Sequence, residues 1–227
     1  EEHSHVGDGH VHLSRDETEQ AAIDLERQET PAMILARRLH RALERKGVLT
    51  KEELWKGVDF LEQLGENWEG PRLVAKAWCD SDFETLLLSD ATQAAKELGI
   101  EAVNSTAPTV LTVLKNTPQV HNLVVCTLCS CYPRAILGLS PSWYRSRSYR
   151  SRAIRDPRSV LREFGTVIPD STEITVNDST ADHRYMVLPM RPKGSEDWTE
   201  DELKLLVSRN SMIGVSLASD PSQIRRE

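Results

Sequence analysis

Three of the four cysteines in this chain lie within six residues, in the run Cys126-Thr127-Leu128-Cys129-Ser130-Cys131. The run directly follows the apolar segment Leu123-Val124-Val125, which predicts a buried strand, and Tyr132 separates it from Pro133. Three cysteines cannot close two disulfides, and a bridge between Cys129 and Cys131 would be strained because only one residue separates them. The pattern therefore predicts a loop, anchored by a strand and by a proline, that serves metal binding or redox chemistry.

The fourth cysteine, Cys79, follows Trp78 in a helical pattern and has no cysteine partner at a motif spacing. Free cysteine commonly packs as a small apolar side chain. We therefore expect Cys79 to be buried.

Length and composition indicate a soluble globular chain. Its 227 residues, 39% hydrophobic and 28% charged, can bury a core without disulfides. A net charge of −7 argues against a general nucleic-acid binder. No apolar run approaches the roughly 20 residues that span a bilayer, and no signal peptide opens the chain. Together with the unpaired cysteines, these features predict a cytoplasmic protein that binds neither nucleic acid nor membrane.

Residues 1–30 predict a polar tail or linker. Acidic side chains there outnumber Arg15 and Arg27, and few large apolar residues accompany them. Helical order is expected to begin near Asp16, held by a partner surface. The opening histidines could bind a divalent metal, but a solvated segment is the preferred interpretation. These histidines are His3, His5, His10 and His12.

Residues 31–115 predict a helical region. Apolar residues recur at helical spacing in several segments, each bounded by a capping, proline or glycine signal. The predicted helices begin at Pro31, after the capping box of Thr50 and Glu53, at Gly70-Pro71, and after Asp80 or Asp82; the first ends at Gly47, the second runs through Leu64, and the last runs through Leu98 to Gly99. No catalytic constellation is visible in this region.

Residues 116–220 predict an α+β domain of layered α-β-β-α type, which follows the N-terminal helical arm and helices. One further strand is expected just before it, around Val110 to Leu114. The predicted strands of the domain are Leu123–Val125, Glu173–Asn177, Tyr185–Leu188 and Ile213–Val215, with Asn177 to Asp182 as the turn between the second and the third. The predicted helices run from Asp156-Pro157 to Gly165 and from the capping box of Thr199 and Glu202.

The segment from Pro141 to Phe164 is both basic and aromatic. Arginine with aromatic residues is typical of nucleic-acid sites and of protein interfaces. Because the chain is acidic overall and the segment adjoins the cysteines, we prefer a protein interface or the neutralisation of negative charge. The residues are Arg145, Arg147, Arg150, Arg152, Arg155 and Arg158, interleaved with Trp143, Tyr144 and Tyr149.

Ligand chemistry limits what the cysteine run can hold. Zinc and iron–sulfur sites both require a fourth protein ligand, usually at a characteristic spacing, and the cysteine run has none. His121 is expected to lie away from the loop. Three closely spaced thiolates can instead cap one face of a single ion, and the residue between Cys129 and Cys131 brings backbone amides within reach. Such strong-field donors favour an octahedral low-spin trivalent ion with one open position, which can activate water or polarise a substrate.

The run Cys126 to Pro133 resembles the metal-binding signature of the nitrile hydratase α subunit. Flanking blocks resemble the family from about residue 116 to 216, and residues 31–100 are compatible with it. These blocks are Asn116-Thr117-Pro118, Val120-His121-Asn122, Leu137-Gly138-Leu139, Trp143-Tyr144, Tyr149-Arg150-Ser151-Arg152, Asp156-Pro157-Arg158, Leu161-Arg162-Glu163-Phe164-Gly165, Arg184-Tyr185-Met186-Val187-Leu188-Pro189, Arg191-Pro192 and Ser211-Met212-Ile213-Gly214.

The resemblance implies a non-corrin cobalt or non-haem iron enzyme that hydrates a nitrile to an amide. It implies a metal held by the sulfurs of Cys126, Cys129 and Cys131 and by the backbone amides of Ser130 and Cys131. Cys129 would be oxidised to the sulfinic and Cys131 to the sulfenic acid. Thr127 stands where cobalt members carry Thr and iron members Ser, so Co(III) is expected rather than Fe(III).

The resemblance also implies catalytic roles and a partner. The sulfenate oxygen of Cys131, or a water activated by it, would attack the nitrile carbon, and Ser130 belongs to the same catalytic loop. A β subunit would complete the pocket with its own arginines, giving an αβ heterodimer or an (αβ)2 assembly. The sequence begins with Glu1 rather than Met, which leaves open that the chain is cut from a fused precursor containing both subunits.

Two departures from the family pattern leave other functions open. Arg134 stands where nitrile hydratases commonly carry Trp, as in the related γ subunit of thiocyanate hydrolase, and residues 99–112 lack a Gln-Gly-Glu pattern often seen there. A cation beside the pocket favours an anionic substrate, so thiocyanate is the alternative to a nitrile. A non-catalytic metal-binding or metal-delivery protein is the alternative of another class.

Overall fold

A computed structural model of the chain describes residues 15–54, 69–102 and 109–224. The four opening histidines and the continuation of the second predicted helix beyond Leu54 lie outside these residues. The start of that helix is described, and the side chain of Glu53 accepts a hydrogen bond from the Thr50 amide at 2.8 Å, as the capping-box prediction requires.

The N-terminal half of the described chain is helical, as predicted. Its helices are α1 (Arg15–Arg27), α2 (Pro31–Arg45), α3 (Glu69–Cys79), α4 (Ser81–Ser89) and α5 (Ala91–Glu97). Each starts where a polar side chain or a proline favours it: Thr30 caps α2, and Asp80 caps α4 by accepting from two amides. The expected helical start near Asp16 agrees with α1.

Two predictions in this half are wrong. The helix expected to run through Leu98 is interrupted at Asp90, whose carboxylate accepts from the Gln93 amide and so caps a new helix, α5. Cys79 is exposed rather than buried, because it is the last residue of α3. The neighbouring Trp78 makes the inward contact instead, and its indole N–H donates to the Pro189 carbonyl at 2.8 Å.

In the part of the chain that the structure describes, four strands form two parallel pairs. The strands are β1 (Val110–Lys115), β2 (Val120–Val125), β3 (Glu173–Asp178) and β4 (His183–Leu188). Strand β1 pairs with β4, and β2 pairs with β3. The residues between Asn177 and Asp182 therefore connect strands of different pairs and do not close a hairpin. The register sets Val125, which precedes the first loop cysteine, opposite Asp178.

Short helices surround the strands in the C-terminal half. They are α6 (Arg134–Leu137), α7 (Ser142–Arg145), α8 (Arg147–Arg155), α9 (Pro157–Glu163), α10 (Glu200–Lys204) and α11 (Arg209–Ile213), with a final 3-10 turn at Pro221–Gln223. The capping box of Thr199 and Glu202 is confirmed at the start of α10. The strand expected at Ile213–Val215 is wrong, because Ile213 ends α11 and Gly214 follows it as a left-handed cap with φ 85°.

A large hydrophobic core joins the helices to the strand pairs, which confirms the α+β class, and a second, smaller cluster forms around Trp198 and Leu203. Leu123, Val124 and Val125 of β2 are fully buried, and so is Cys126 behind them. Burial on this scale removes apolar surface from water at roughly 25 cal/mol per Å² and fixes the direction in which the chain leaves β2. Within the described residues, no helix is both long and apolar enough to cross a bilayer.

A buried polar network fixes the start of β2. The Nε2 atom of His121 lies 2.7 Å from the Gly214 carbonyl oxygen, and its Nδ1 atom lies 3.2 Å from Nδ2 of Asn116. The Oδ1 atom of Asn116 is already used, since it accepts from the Asn122 amide at 2.7 Å. These partners match the neutral imidazole, with Nε2 protonated and Nδ1 accepting. A second proton would set Nδ1–H against the amide donor of Asn116.

We expect the stability of the chain to fall as the pH drops below about 6.5, the ordinary histidine value. Burial lowers the pKa of His121 below that value, so the unfolded chain takes up a proton that the folded chain does not. The contribution of His121 to the free energy of unfolding therefore rises with pH up to about 6.5 and is fully present above that pH. Urea unfolding at several pH values measures this slope.

The matched variants for this prediction are His121→Gln and His183→Gln. His121→Gln should flatten the slope, whereas His183→Gln, which changes a half-exposed histidine, should keep it. Equal slopes in the parent and in His121→Gln would contradict the assignment of the slope to His121.

Candidate metal centre

The cysteine loop leaves the buried end of β2 and reaches the surface. Cys126 is buried, Cys131 is half-buried and Cys129 is exposed. The sulfur of Cys129 lies 3.5 Å from that of Cys126 and 3.2 Å from that of Cys131. All three sulfurs lie within 4.8 Å of one another. In the described part of the chain, these three sulfurs form a group of side chains that could hold a metal ion, and neither Cys79 nor His121 belongs to it.

A backbone amide also bonds to a sulfur of the cluster: the amide of Cys129 donates to the Cys126 sulfur at 3.3 Å. The amides of Ser130 and Cys131 lie close enough to the Cys129 sulfur to lower its pKa. Three sulfurs gathered in one small volume fit a single ion that favours sulfur ligands. That the Ser130 and Cys131 amides also bind the ion, as the resemblance implies, stays a prediction.

The thiols in the cluster differ in acidity. Hydrogen bonds, first from the Cys131 thiol and then from the Ser130 amide, lower the pKa of Cys129 to about 7. Burial, and then the hydrogen bond that it donates to Cys129, raises the pKa of Cys131 to about 12. Arg184 at the start of β4 acts in the opposite direction on Cys131. Of these two thiols, Cys129, whose sulfur is the more exposed, loses its proton at the lower pH.

Asp178 holds Thr127 from the neighbouring strand. The amide of Thr127 donates to one carboxylate oxygen of Asp178 at 2.9 Å, and the Thr127 hydroxyl donates to the other. The side chain of Thr127 consequently turns toward β3 and not into the sulfur cluster. Sequence reasoning missed Asp178, because the predicted strand ended at Asn177 and nothing in the pattern showed that β2 and β3 pair in parallel.

The aromatic residues predicted as interface residues line the inner side of the loop. Tyr144 is fully buried and its hydroxyl donates to the Cys131 carbonyl at 2.8 Å, while the Tyr149 hydroxyl donates to the Val124 carbonyl at 2.7 Å. Burial raises the pKa of both phenols, which keeps them protonated as donors. Trp143 packs edge-on against Tyr149 at 5.0 Å and against Phe164 at 4.7 Å between ring centroids.

The arginines of the same segment serve different purposes. Arg150 donates to the Thr127 carbonyl at 3.3 Å, Arg152 pairs with Glu163, and Arg158 donates to the Ile168 carbonyl at 3.1 Å. These guanidinium groups therefore bond within the chain. Other arginines of the segment, Arg145, Arg147 and Arg155, are exposed, and the interface prediction stays open for them.

Leu128 and Arg134 mark the solvent side of the loop. Leu128, between the first two loop cysteines, is 87% exposed. Arg134 is the first residue of α6 and is exposed three positions beyond Cys131. An exposed apolar side chain on the cysteine loop is a surface that a partner or a substrate can contact.

The geometry defines a class: an α+β chain with a sulfur-rich metal loop at a strand end, open on its outer side. The family described as nitrile hydratase, alpha chain, matches residues 30–216. This chain belongs to that family. Its members are subunits of enzymes, and thiocyanate hydrolase contains a related subunit.

Individual relatives agree with this assignment. The chain is 47% identical over 182 residues to the low-molecular weight cobalt-containing nitrile hydratase subunit alpha of Rhodococcus rhodochrous, covering 78% of this chain and 84% of that protein. It is 45% identical over 183 residues to the thiocyanate hydrolase subunit gamma of Thiobacillus thioparus, covering 76% and 74%.

Solved structures share the fold. A double mutant of the Fe-type nitrile hydratase from Comamonas testosteroni Ni1 matches with a TM-score of 0.68 and 38% identity, covering 88% of this chain and 97% of that chain. At this identity the correspondence extends beyond the fold to the family. The cysteine cluster of this chain fits the metal loop of the family.

Proposed function

We propose that this chain is the α subunit of a cobalt nitrile hydratase, which adds water to a nitrile and releases the amide. The convergence of three cysteine sulfurs, within 4.8 Å of one another on one loop, carries the proposal. The relatives named as cobalt-containing nitrile hydratase subunits support the choice of metal and of reaction.

In this proposal, Cys126, Cys129 and Cys131 and the amides of Ser130 and Cys131 hold a Co(III) ion. Cys129 carries the sulfinic and Cys131 the sulfenic oxidation state. The buried Cys126 anchors the ion to the protein, while the exposed Cys129 and the half-buried Cys131 face the substrate side. The hydroxyl of Thr127 bonds to Asp178. In this proposal, Thr127 favours cobalt by setting the geometry of the loop.

When bound, the ion supplies a Lewis acid that withdraws charge from the nitrile carbon. The residues of the chain provide the rest of the reaction. The oxygen on the Cys131 sulfur attacks the carbon or orients the water that does so, and Ser130 keeps that sulfur in place through its backbone. One water is consumed in either case, and its two protons end on the nitrogen. If the water attacks, its oxygen becomes the amide oxygen; if the oxygen on Cys131 attacks, that oxygen enters the amide and the oxygen of the water replaces it on the sulfur.

A β subunit completes the site in this proposal, as an αβ heterodimer or an (αβ)2 assembly. The outer side of the loop, marked by Leu128 and Arg134, is open in this chain, and catalysis of this kind needs a pocket that excludes bulk water. Arginines of the partner would neutralise the oxidised sulfurs. The exposed arginines at residues 145–155 would lie at the same interface.

The test is a paired assay of the purified complex with an aliphatic nitrile and with thiocyanate. We expect amide formation from the nitrile as the main activity. A complex that binds cobalt and converts neither substrate would contradict the enzyme proposal and favour a metal-binding or metal-delivery role.

Thiocyanate hydrolysis is the second candidate, because Arg134 is exposed beside the loop exit. A guanidinium at this point attracts an anion and contributes little to a neutral nitrile. We expect Arg134→Trp to weaken thiocyanate turnover relative to nitrile turnover by about ten-fold, the effect of losing roughly 1.4 kcal/mol of charge interaction. Measurement of kcat/KM for both substrates checks this ratio, with Arg162→Trp, which changes an exposed arginine of α9, as control. An unchanged ratio would remove Arg134 from the substrate site.

A further inference from the structure

Three side chains of the segment 144–150 hydrogen-bond to backbone carbonyls in and just before the cysteine loop. Each carbonyl lies at a different point: at the strand end before Cys126, directly after Cys126, and at the last cysteine. The pairs are Tyr149 to Val124 at 2.7 Å, Arg150 to Thr127 at 3.3 Å and Tyr144 to Cys131 at 2.8 Å. We name Tyr144, Tyr149 and Arg150 the carbonyl clamp.

The carbonyl clamp is itself rigid. Tyr144 is 0% and Tyr149 is 6% exposed. The ring of Tyr144 packs edge-on against Tyr132, with centroids 5.1 Å apart, and Ser146 caps α8 by accepting from the Tyr149 amide at 3.1 Å. Buried rings in a packed cluster occupy single rotamers, so their hydroxyls hold the carbonyls at defined positions.

Helix α1 supports the carbonyl clamp from outside. A carboxylate oxygen of Glu26 accepts from the Arg147 amide, in the first turn of α8, at 2.7 Å. Ile23 of the same helix is 9% exposed, although α1 is otherwise polar. A carboxylate at a helix amino end stabilises that end through the unpaired amides and the helix dipole. The start of α8, which carries Tyr149 and Arg150, is thereby fixed.

On the opposite side of the loop, Asp178 holds the Thr127 amide and hydroxyl. Thr127 is thus bonded at its amide, its side chain and its carbonyl, from two different elements. The backbone of the loop is fixed on its inner side, and its three sulfurs lie within 4.8 Å of one another.

We propose that the carbonyl clamp preorganises the metal ligands: Tyr144, Tyr149 and Arg150 are positioning residues that set the loop geometry before the ion binds. The proposal rests on the metal function proposed above. Groups that orient metal ligands typically change metal affinity by 10- to 100-fold when they are removed. The carbonyl clamp would exert that effect through the backbone instead of through the ligand side chains.

The experiment uses the complex with its partner chain, expressed without cobalt and titrated with Co(II) while the sulfur-to-cobalt charge-transfer absorption is recorded. Tyr144→Phe and Tyr149→Phe each remove one hydroxyl and keep the ring. We expect each variant to bind cobalt about ten-fold more weakly than the parent, with a shifted absorption band. Amide hydrogen exchange of the loop peptide in the metal-free complex should be about ten-fold faster in each.

Leu203→Ala is the matched control, because it opens a cavity in a second hydrophobic cluster, to which no residue of the loop or of the carbonyl clamp belongs. It should lower thermal stability without changing cobalt affinity, absorption or loop exchange. Parent-like affinity, absorption and exchange in both tyrosine variants would overturn the carbonyl clamp, as would equal changes in Leu203→Ala. A parent complex that binds no cobalt would overturn the proposed metal function and the clamp with it.

Discussion

Replacement of Cys131 by alanine should reduce amide formation by about 1,000-fold or more, within the range for loss of a group that activates the attacking oxygen. Cys131 is the half-buried sulfur of the cluster, 3.2 Å from Cys129, and the proposed function gives it both a ligand role and the reactive oxygen. Its carbonyl is also held by Tyr144, so alanine keeps the backbone contact and removes only the sulfur. Chromatographic measurement of the amide, with cobalt content determined on the same sample, gives the result.

Cys79→Ala provides the matched control for this change. Cys79 is an exposed cysteine at the end of α3 and is not part of the sulfur cluster, so its loss should leave activity and cobalt content at parent values. Full turnover in Cys131→Ala would rule out the role assigned to Cys131. Loss of activity with cobalt retained would separate the reactive oxygen from the ligand role.

Gly214→Ala should lower the free energy of unfolding by about 3 kcal/mol or more. Gly214 has φ 85°, a left-handed conformation that alanine rarely adopts. A Cβ atom there would lie 1.9 Å from the backbone carbonyl oxygen of Asn122, which cannot move without displacing β2. The substitution therefore disturbs the strand that leads into the cysteine loop. Urea unfolding of the variant measures the loss.

Gly165→Ala isolates the conformational part of that cost. Gly165 also has a positive φ, 77°, but a Cβ atom there would meet nothing within 4 Å. We expect a loss of about 1 kcal/mol, from the left-handed conformation alone. If the two variants lost equal stability, the close approach of Gly214 to β2 would not be what requires glycine at this position.

The cysteine loop could be predicted from the sequence because its chemistry depends on local spacing. Three thiols separated by two and by one residue are close in almost any loop conformation, and the structure gathers them as expected. The resemblance supplied the family, which is confirmed. Helix boundaries at Pro31, Thr50, Asp80 and Thr199 were also predictable, since each depends on a cap within one turn.

What the sequence could not provide are contacts between distant segments. The positions of four strands were predicted approximately correctly. Periodicity within a strand does not show which strand it pairs with, so the parallel pairing of β2 with β3 was missed. The hydrogen bond from the Thr127 amide to Asp178 depends on that pairing and was missed with it. The sequence Ile213-Gly214-Val215 predicted a strand because two apolar residues around a glycine occur both in a short strand and around a left-handed helix cap. The positive φ of Gly214 shows that it is a helix cap.

The aromatic segment illustrates the same limit. Tyrosine and arginine are common at interfaces, and the segment that contains Tyr144, Tyr149 and Arg150 was predicted to form a protein interface or to neutralise negative charge. In the structure they face inward and hold loop carbonyls, because the rings pack into the core while their hydroxyls find buried acceptors. Composition cannot separate these two uses, which differ only in the direction of the side chains.

X-ray absorption at the cobalt edge, combined with elemental analysis of the purified complex, tests the proposed metal centre most directly. We predict one cobalt per α chain, surrounded by three sulfur and two nitrogen ligands, with the signal lost in Cys126→Ala and kept in Cys79→Ala. Absence of cobalt, or cobalt bound by oxygen and imidazole ligands alone, would contradict the metal centre and with it the proposed reaction.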